Sequence, residues 1–383
     1  MHPDEERIAE SAGTARLVTL FLCGDVMTGR GIDQILPHPG DPRLYESYVL
    51  SAKQYVVLAE EVSGAIEHPV DFAYVWGDAL RELARLRPAV RIVNLETAVT
   101  ASESPWPGKG IHYRMHPANV PCLSALPVDC CALANNHVMD WGREGLAETL
   151  DALSAAGIRT AGAGRDAGNA SAPAVIELPG GKRVLVFAFG MESSGIPAAW
   201  RATAPRSGVS VLDDLSDLSV DEVARAITAH KRKNDIAVVS LHWGPNWGFD
   251  ISAGERRFAQ ALLDSAGAGL VHGHSSHHVK GIEVHRDKLI LYGCGDFLTD
   301  YEGISGHEAY RGNLGLMYFP VLDSTSGRLR QLVMTPTHVH RFRVSRATSE
   351  QTDWLHERLN RGGRKLGTGV ERDPDGTLRL CWI

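Results

Sequence analysis

DCCALANNHVMDWGREGLAETLDALSAAG, residues 129 to 157, reads as one complete structural unit. It opens with DCCALA (129 to 134), a run too short for a helix and apolar at nearly every position, as expected of a strand buried on both faces. It continues into a helical pattern over 142 to 156, opened by Gly142 and closed by Gly157. Between strand and helix lie Asn135, Asn136, His137 and Asp140. Two amides and an imidazole after so apolar a run need partners, because an unpaired buried polar group costs roughly 1–3 kcal/mol.

The same grammar recurs outward along the chain. Apolar runs at 17 to 25, 90 to 96, 183 to 190, 235 to 244, 268 to 274 and 288 to 296 read as strands, and 77 to 87, 219 to 233 and 253 to 266 as helices. The stretch ELPGGKRV (177 to 184) reads as a hairpin, so the sheets are expected to be mixed rather than purely parallel. Residues 97 to 120, rich in Pro, Gly and His, are expected to lie as long loops over the mouth of a site. The pattern predicts an α/β protein with a disordered N-terminus over 1 to 16 and one domain over 17 to 345. A C-terminal helix with a loosely attached tail is expected over 346 to 383.

Composition narrows the classes. With 383 residues, 44% of them hydrophobic, the chain can bury a sizeable core. Its formal charge of −7 comes from 46 acidic and 39 basic residues interspersed without like-charge blocks, which argues against nucleic acid or an anionic membrane as partner. No run approaches the roughly 18 apolar residues of a membrane span, and the acidic opening MHPDEERIAESAGTAR lacks the pattern of a signal peptide. The six cysteines contain no CxxC pair and several sit in apolar runs, as buried reduced thiols would. The expectation is a cytoplasmic protein acting on a small molecule or an acidic polymer.

Polar, metal-capable residues collect where predicted strands end, which is where open α/β sheets bind ligands. Asp25 follows Gly24 in CGDVMTGR; Asn94 and Glu96 close VNLETAV; Asn135, Asn136, His137 and Asp140 follow the third run. His242 ends VVSLHWGPNW, and His272, His274, His277 and His278 crowd LVHGHSSHHVKGIEV around Gly273. Taken singly, Asp25 could equally be a helix cap and Glu96 a solvated strand end, and a lone histidine at His242 is more often a core residue than a ligand. Together, carboxylates, amides and imidazoles on one rim favour two divalent ions of the Mn, Zn or Fe type over a lone structural zinc. Such a pair generates a nucleophilic hydroxide at neutral pH. No GxSxG elbow and no activated cysteine context competes, and TAGAGRDAG (160 to 168) lacks P-loop spacing. Among the tryptophans, Trp76, Trp106, Trp141, Trp243 and Trp247 are candidates to wall a pocket, though a tryptophan taken singly is more often core.

The order of GDVMTGR, NLE, LANNHVMDWGREGLAETLDAL, LHWG and GHSSHHVKGIEVHRDKLILYGCGDF over roughly 17 to 320 resembles the CapA family of poly-γ-glutamate capsule biosynthesis proteins. That family is a branch of the calcineurin-like metallophosphoesterases. The resemblance implies a four-layer α/β/β/α sandwich with a two-metal centre. It implies Asp25 and His277 on one ion, Asn136, His242 and His274 on the other, and Glu96 bridging. His137, oriented by Asp140, would serve the leaving group, Arg114 would grip a carboxylate or phosphate, and Asn94, Asn135 and Asp296 would border the substrate.

The chain departs from the pattern in Asp25-Val26-Met27, where the superfamily has DxH, in GHxxH, which leaves Ser276, His277 and His278 in competition, and in Asp296, where relatives have asparagine. The implied activity is a metal-dependent hydrolase of a phosphoester or a γ-glutamyl-type biosynthetic intermediate. The alternatives are a non-catalytic component that binds polyglutamate or a synthetase, and a one-metal amidohydrolase.

Overall fold

Two sheets carry the structure, a computed structural model that describes residues 17–383; the expected disorder of 1 to 16 lies outside the described residues. The larger sheet has ten strands. Its parallel half runs Leu17–Val26, Val90–Leu95, Cys130–Ala132, Arg159–Ala161, as the buried apolar runs predict. Beyond Leu17–Val26 the sheet turns antiparallel through Leu314–Asp323, Leu329–His340, Leu378–Trp382 and Thr368–Arg372. The smaller sheet has seven strands, centred on Lys182–Met191, Ile236–His242, Leu270–His274 and Lys288–Leu291 in parallel register. Ala174–Leu178 pairs antiparallel with Lys182–Met191, which is the hairpin read at 177 to 184.

Strand alternation divides the smaller sheet between two apolar cores. Leu185, Phe187, Phe189, Val239, Leu241, Val271 and Ile290 pack with Val223, Ile227, Phe258 and Leu262 of the helices Asp217–His230 and Ala253–Asp264. Their neighbours Val184, Val186, Val238, Leu270, Leu289 and Leu291 share a core with Leu20, Leu22 and Ile92 of the larger sheet. That core extends to Val56 of Lys53–Ser63, Leu83 of Asp78–Leu86 and Leu146 of Gly142–Ala155. Both faces of these strands are apolar because both are covered.

The segment from 346 onward departs from the expectation of a loose tail. Its helix Ser349–Gly363 begins with a capping box, Thr348 and Gln351 each bonding the other's backbone. Leu378–Trp382 then pairs with Leu329–His340, and Leu355 and Leu378 are fully buried. Dense charge hid this anchoring, in which Leu355, Leu359, Leu366, Val370, Leu378 and Leu380 face inward. Among the described residues, no helix is long and apolar enough to cross a membrane. Five of the six cysteines are buried and all six are free.

Candidate metal centre

Parallel pairing decides which side chains meet. Asp25, near the end of its strand, stands in register with Asn94 on one side and Asp296 on the other, while His242 stands beside His274. The approach of Asp25 to Asp296 depends on Gly24. A Cβ there would sit 1.6 Å from the Gly295 carbonyl oxygen, so this glycine serves close strand packing. Gly273 is likewise a packing glycine, since a Cβ would meet the Leu291 and Tyr292 carbonyls at 2.6 Å.

Two donor sets result, each with ligand atoms within 4.8 Å of one another: Asp25 with His242 and His274, and Asp25 with His277 and Asp296. Asp25 is common to both. Its Oδ1 accepts from Asn94 Nδ2 at 2.7 Å and its Oδ2 from the Ser275 amide at 3.1 Å. Ser275 holds φ at +96°, a costly conformation for a residue with a side chain, and aims its N–H at the carboxylate. His277 Nδ1 lies 3.0 Å from Asp296 Oδ1. Asn136 Oδ1 lies 3.0 Å from His242 Nε2, and Glu96 Oε1 lies 3.7 Å from the same nitrogen.

The electrostatics fit divalent ions. Burial, and then the adjacent Asp296, push the Asp25 carboxyl up to about 7; burial with Asp25 and Asp296 drives Glu96 well above the ordinary range. Burial holds His242 and His274 well below theirs, so both are neutral nitrogen donors. For His277 burial pulls downward, but the charge and hydrogen bond of Asp296 outweigh it and the net shift is upward. Asp296 Oδ2 is buried without a hydrogen-bond partner. Three converging carboxylates, an orphaned oxygen and neutral imidazoles form a set that a divalent ion would satisfy and that no protein group does.

Beside these sets stands a second constellation. His137 Nδ1 lies 2.7 Å from Asp140 Oδ2, and Lys109 Nζ lies 2.6 Å from Asp140 Oδ1. The Tyr113 amide also donates to Asp140 at 2.6 Å, and the Tyr113 ring stacks on the imidazole with centroids 3.7 Å apart. Burial raises the Asp140 carboxyl to about 6, with Lys109 opposing, while burial and then Lys109 keep His137 well below its usual value. Lys109 comes from PGKG, within the loop region expected over the site, but its role was not read from the sequence. Arg30 was also missed. Its guanidinium is buried against Asp300 and Glu46 and lies 3.8 Å from the Tyr55 ring centroid, an arrangement that pins Asp300 and Tyr113 near the site.

Several expected site residues stand elsewhere. Arg114 donates to the Ser102 and Asp41 carbonyls at 2.7 and 2.8 Å and stacks 3.8 Å over Trp141. Two of its donors are thus tied to backbone carbonyls, and it is not among the residues that line the cavity beside the donor sets. Asn94 and Asn135 are fully buried beneath the carboxylate rather than at a substrate: Asn135 Nδ2 bonds Asn94 Oδ1 at 3.1 Å, and Asn94 bonds Asp25. Asp296 joins the donor set with His277 rather than bordering the substrate. His272 bonds the Cys23 carbonyl at 2.7 Å and ties the sheets together. His278 accepts from the Gly248 amide, and Ser276 donates to the His278 carbonyl, which leaves His277 as the member of that run in a donor set.

A cavity of about 1070 Å³ opens above the centre, lined at its base by Asn136, His137 and His277. Loop residues Lys109 to Ile111 and Tyr113 form one side. Residues 299 to 313 form another. Of the candidate tryptophans only Trp247 faces this cavity; Trp76, Trp141 and Trp243 are core.

Residues 19–301 match the family model described as bacterial capsule synthesis protein PGA_cap. A probable polyglutamine synthesis accessory protein of Mycobacterium tuberculosis is 48% identical over 370 residues, covering 96% of this chain and 97% of that protein. The capsule biosynthesis protein CapA of Bacillus anthracis is 25% identical over 74% of this chain and 60% of its own length. The PGA biosynthesis protein CapA of Bacillus subtilis is 25% identical over 83% and 70% respectively. With the family model spanning most of the chain and a relative matched nearly end to end, this protein belongs to the PGA_cap (CapA) family of bacterial capsule synthesis proteins.

Proposed function

We propose that the chain is a divalent-metal-dependent hydrolase of a phosphoester or γ-glutamyl-type intermediate in polyglutamate biosynthesis. We read its two sheets with their outer helices as the four-layer α/β/β/α arrangement. Buried free thiols favour a reducing compartment, and on that ground we assign it to the cytoplasm. The observation that carries the reading is the pair of Asp/His donor sets sharing Asp25, beside the His137–Asp140 pair on a cavity floor.

Asp25 would be common to two ions, with His277 and Asp296 on one and His242 and His274 on the other; Asn136 and Glu96 stand close enough to complete them. Such ions, when bound, supply a hydroxide nucleophile at neutral pH and withdraw charge from the ester oxygen. The chain's own residues do the rest. Asn94 and the Ser275 amide fix the Asp25 carboxylate in one orientation. Asp140 takes His137 Nδ1, which leaves Nε2 as the atom to exchange a proton with the reacting groups. Lys109 and the Tyr113 amide hold Asp140, and the Tyr113 ring fixes the imidazole plane.

Elemental analysis of the purified protein, joined to hydrolysis of an aryl phosphate diester and monoester with and without manganese, tests the proposal. Two ions per chain with metal-dependent turnover support it; one ion or none, without turnover, refutes it. The word accessory in the name of the mycobacterial relative favours a second reading, a non-catalytic polyglutamate-binding component. In that case polyglutamate binding survives His137→Ala and neither form hydrolyses anything.

A further inference from the structure

Among the described residues ten large hydrophobic side chains are exposed, and four of them line the single cavity above the donor sets. Tyr48 is 66% exposed, Val62 64%, Ile304 46% and Ile111 37%. They come from three separate stretches of chain, yet they meet at one opening whose floor carries Asn136, His137 and His277. Exposed apolar groups gathered at a cavity usually mark what the cavity binds.

The charges in the lining point the same way. Arg30 is consumed by Asp300 and Glu46, Lys109 by Asp140, and Arg311 lies 3.9 Å from Glu350. Each lining cation therefore already has a carboxylate beside it. Glu302 and Glu308 add negative charge to the same wall. A run of carboxylates laid along this cavity would meet acids and paired cations, whereas an apolar chain would cover side chains now facing water. The volume of about 1070 Å³ also exceeds what a phosphoryl group and one small substituent fill.

We propose that the substrate is amphiphilic: its reactive anionic head reaches the donor sets while an alkyl or acyl chain beside the reactive bond lies on Tyr48, Val62, Ile111 and Ile304. The inference rests on the hydrolase reading for the head and on the apolar rim for the chain.

The test uses the full chain with manganese and a series of p-nitrophenyl alkyl phosphodiesters, from methyl through butyl to octyl. Full burial of a methylene changes affinity roughly fourfold, so half-burial of the four added between butyl and octyl lowers KM by about 16-fold. Val62→Ser and Ile304→Ser, both on exposed side chains, flatten that dependence. Leu218→Ser, 78% exposed on the helix Asp217–His230, leaves it intact.

A KM independent of chain length overturns the proposal. So does a dependence that the two rim variants leave unchanged, or a rim variant that alters the oligomeric state instead of the slope. If no diester is turned over, the hydrolase reading fails separately, and the chain is judged by binding. Alkyl phosphates of the same lengths, followed by the fluorescence of Trp247 in the cavity wall, then give the same fall in Kd or refute it.

Discussion

Replacing Asp25 with Asn gives the sharpest test of the centre's electrostatics. In the ion-free protein, burial and the nearby Asp296 move this carboxyl from 3.8 to about 7. At ~1.36 kcal/mol per pH unit, ionising it in the folded state costs about 4 kcal/mol at pH 8. The sign follows from proton counting: between these values the folded chain holds more protons than the unfolded one, so the Asp25 contribution falls as pH rises from about 4 to 7. The neutral amide escapes that cost. It brings a smaller one, about 1–3 kcal/mol, because both partners of Asp25, Asn94 Nδ2 and the Ser275 N–H, are donors and the new NH₂ faces one of them.

In EDTA, Asp25→Asn should therefore be more stable than the parent at pH 8 by about 1–3 kcal/mol, an advantage that shrinks by about 3 kcal/mol at pH 5. Urea denaturation of both proteins across that range measures it. The neighbouring histidines, whose lowered values give the opposite trend, are present in both chains and cancel in the difference. Manganese at about 100 times its Kd should then stabilise the parent by ~3 kcal/mol and the variant hardly at all. A stability difference independent of pH, or equal stabilisation by manganese, would refute the reasoning.

His274→Ala should remove both the bound ion and turnover, and full metal occupancy by elemental analysis would contradict the ligand assignment. Arg114→Ala loses two hydrogen bonds to backbone carbonyls and its stack on Trp141, so it should cost about 2 kcal/mol in denaturant midpoint while KM stays within twofold. A large rise in KM would return Arg114 to the substrate. Truncation after 348 uncovers Leu329–His340 and removes the buried Leu355 and Leu378, so it should yield insoluble or proteolysed chain, visible as loss of a cooperative thermal transition.

What the sequence revealed follows local rules. Strands such as 183 to 190 were legible because both faces are apolar, and the rim residues because strands end at it. Asp25, His242, His274 and His277 are near neighbours of apolar runs, so placing the runs placed them. The misread residues depend on distant partners. Arg114 sits in a polar loop whose carbonyl acceptors, at Ser102 and Asp41, no periodicity announces. Lys109 lies in a loop with no periodicity to place it, and only the fold brings it to Asp140. The C-terminal hairpin was obscured because only the two leucines of LRLCW are buried, and five residues are too short a run to distinguish from a tail.

The carboxylate held in common by both donor sets is gathered from opposite ends of the chain: Asp25 meets the Ser275 amide across 250 residues of sequence. Its other neighbours, Asp296 and His277, are also made late. A nascent chain therefore displays Asp25, with Asn94 beside it, long before the histidines and Asp296 that complete the donor sets, and closing so long a loop is entropically slow. High-affinity ion capture must be among the last events of folding. Stoichiometric metal thus measures more than catalytic competence, because it reports that the two sheets have found each other.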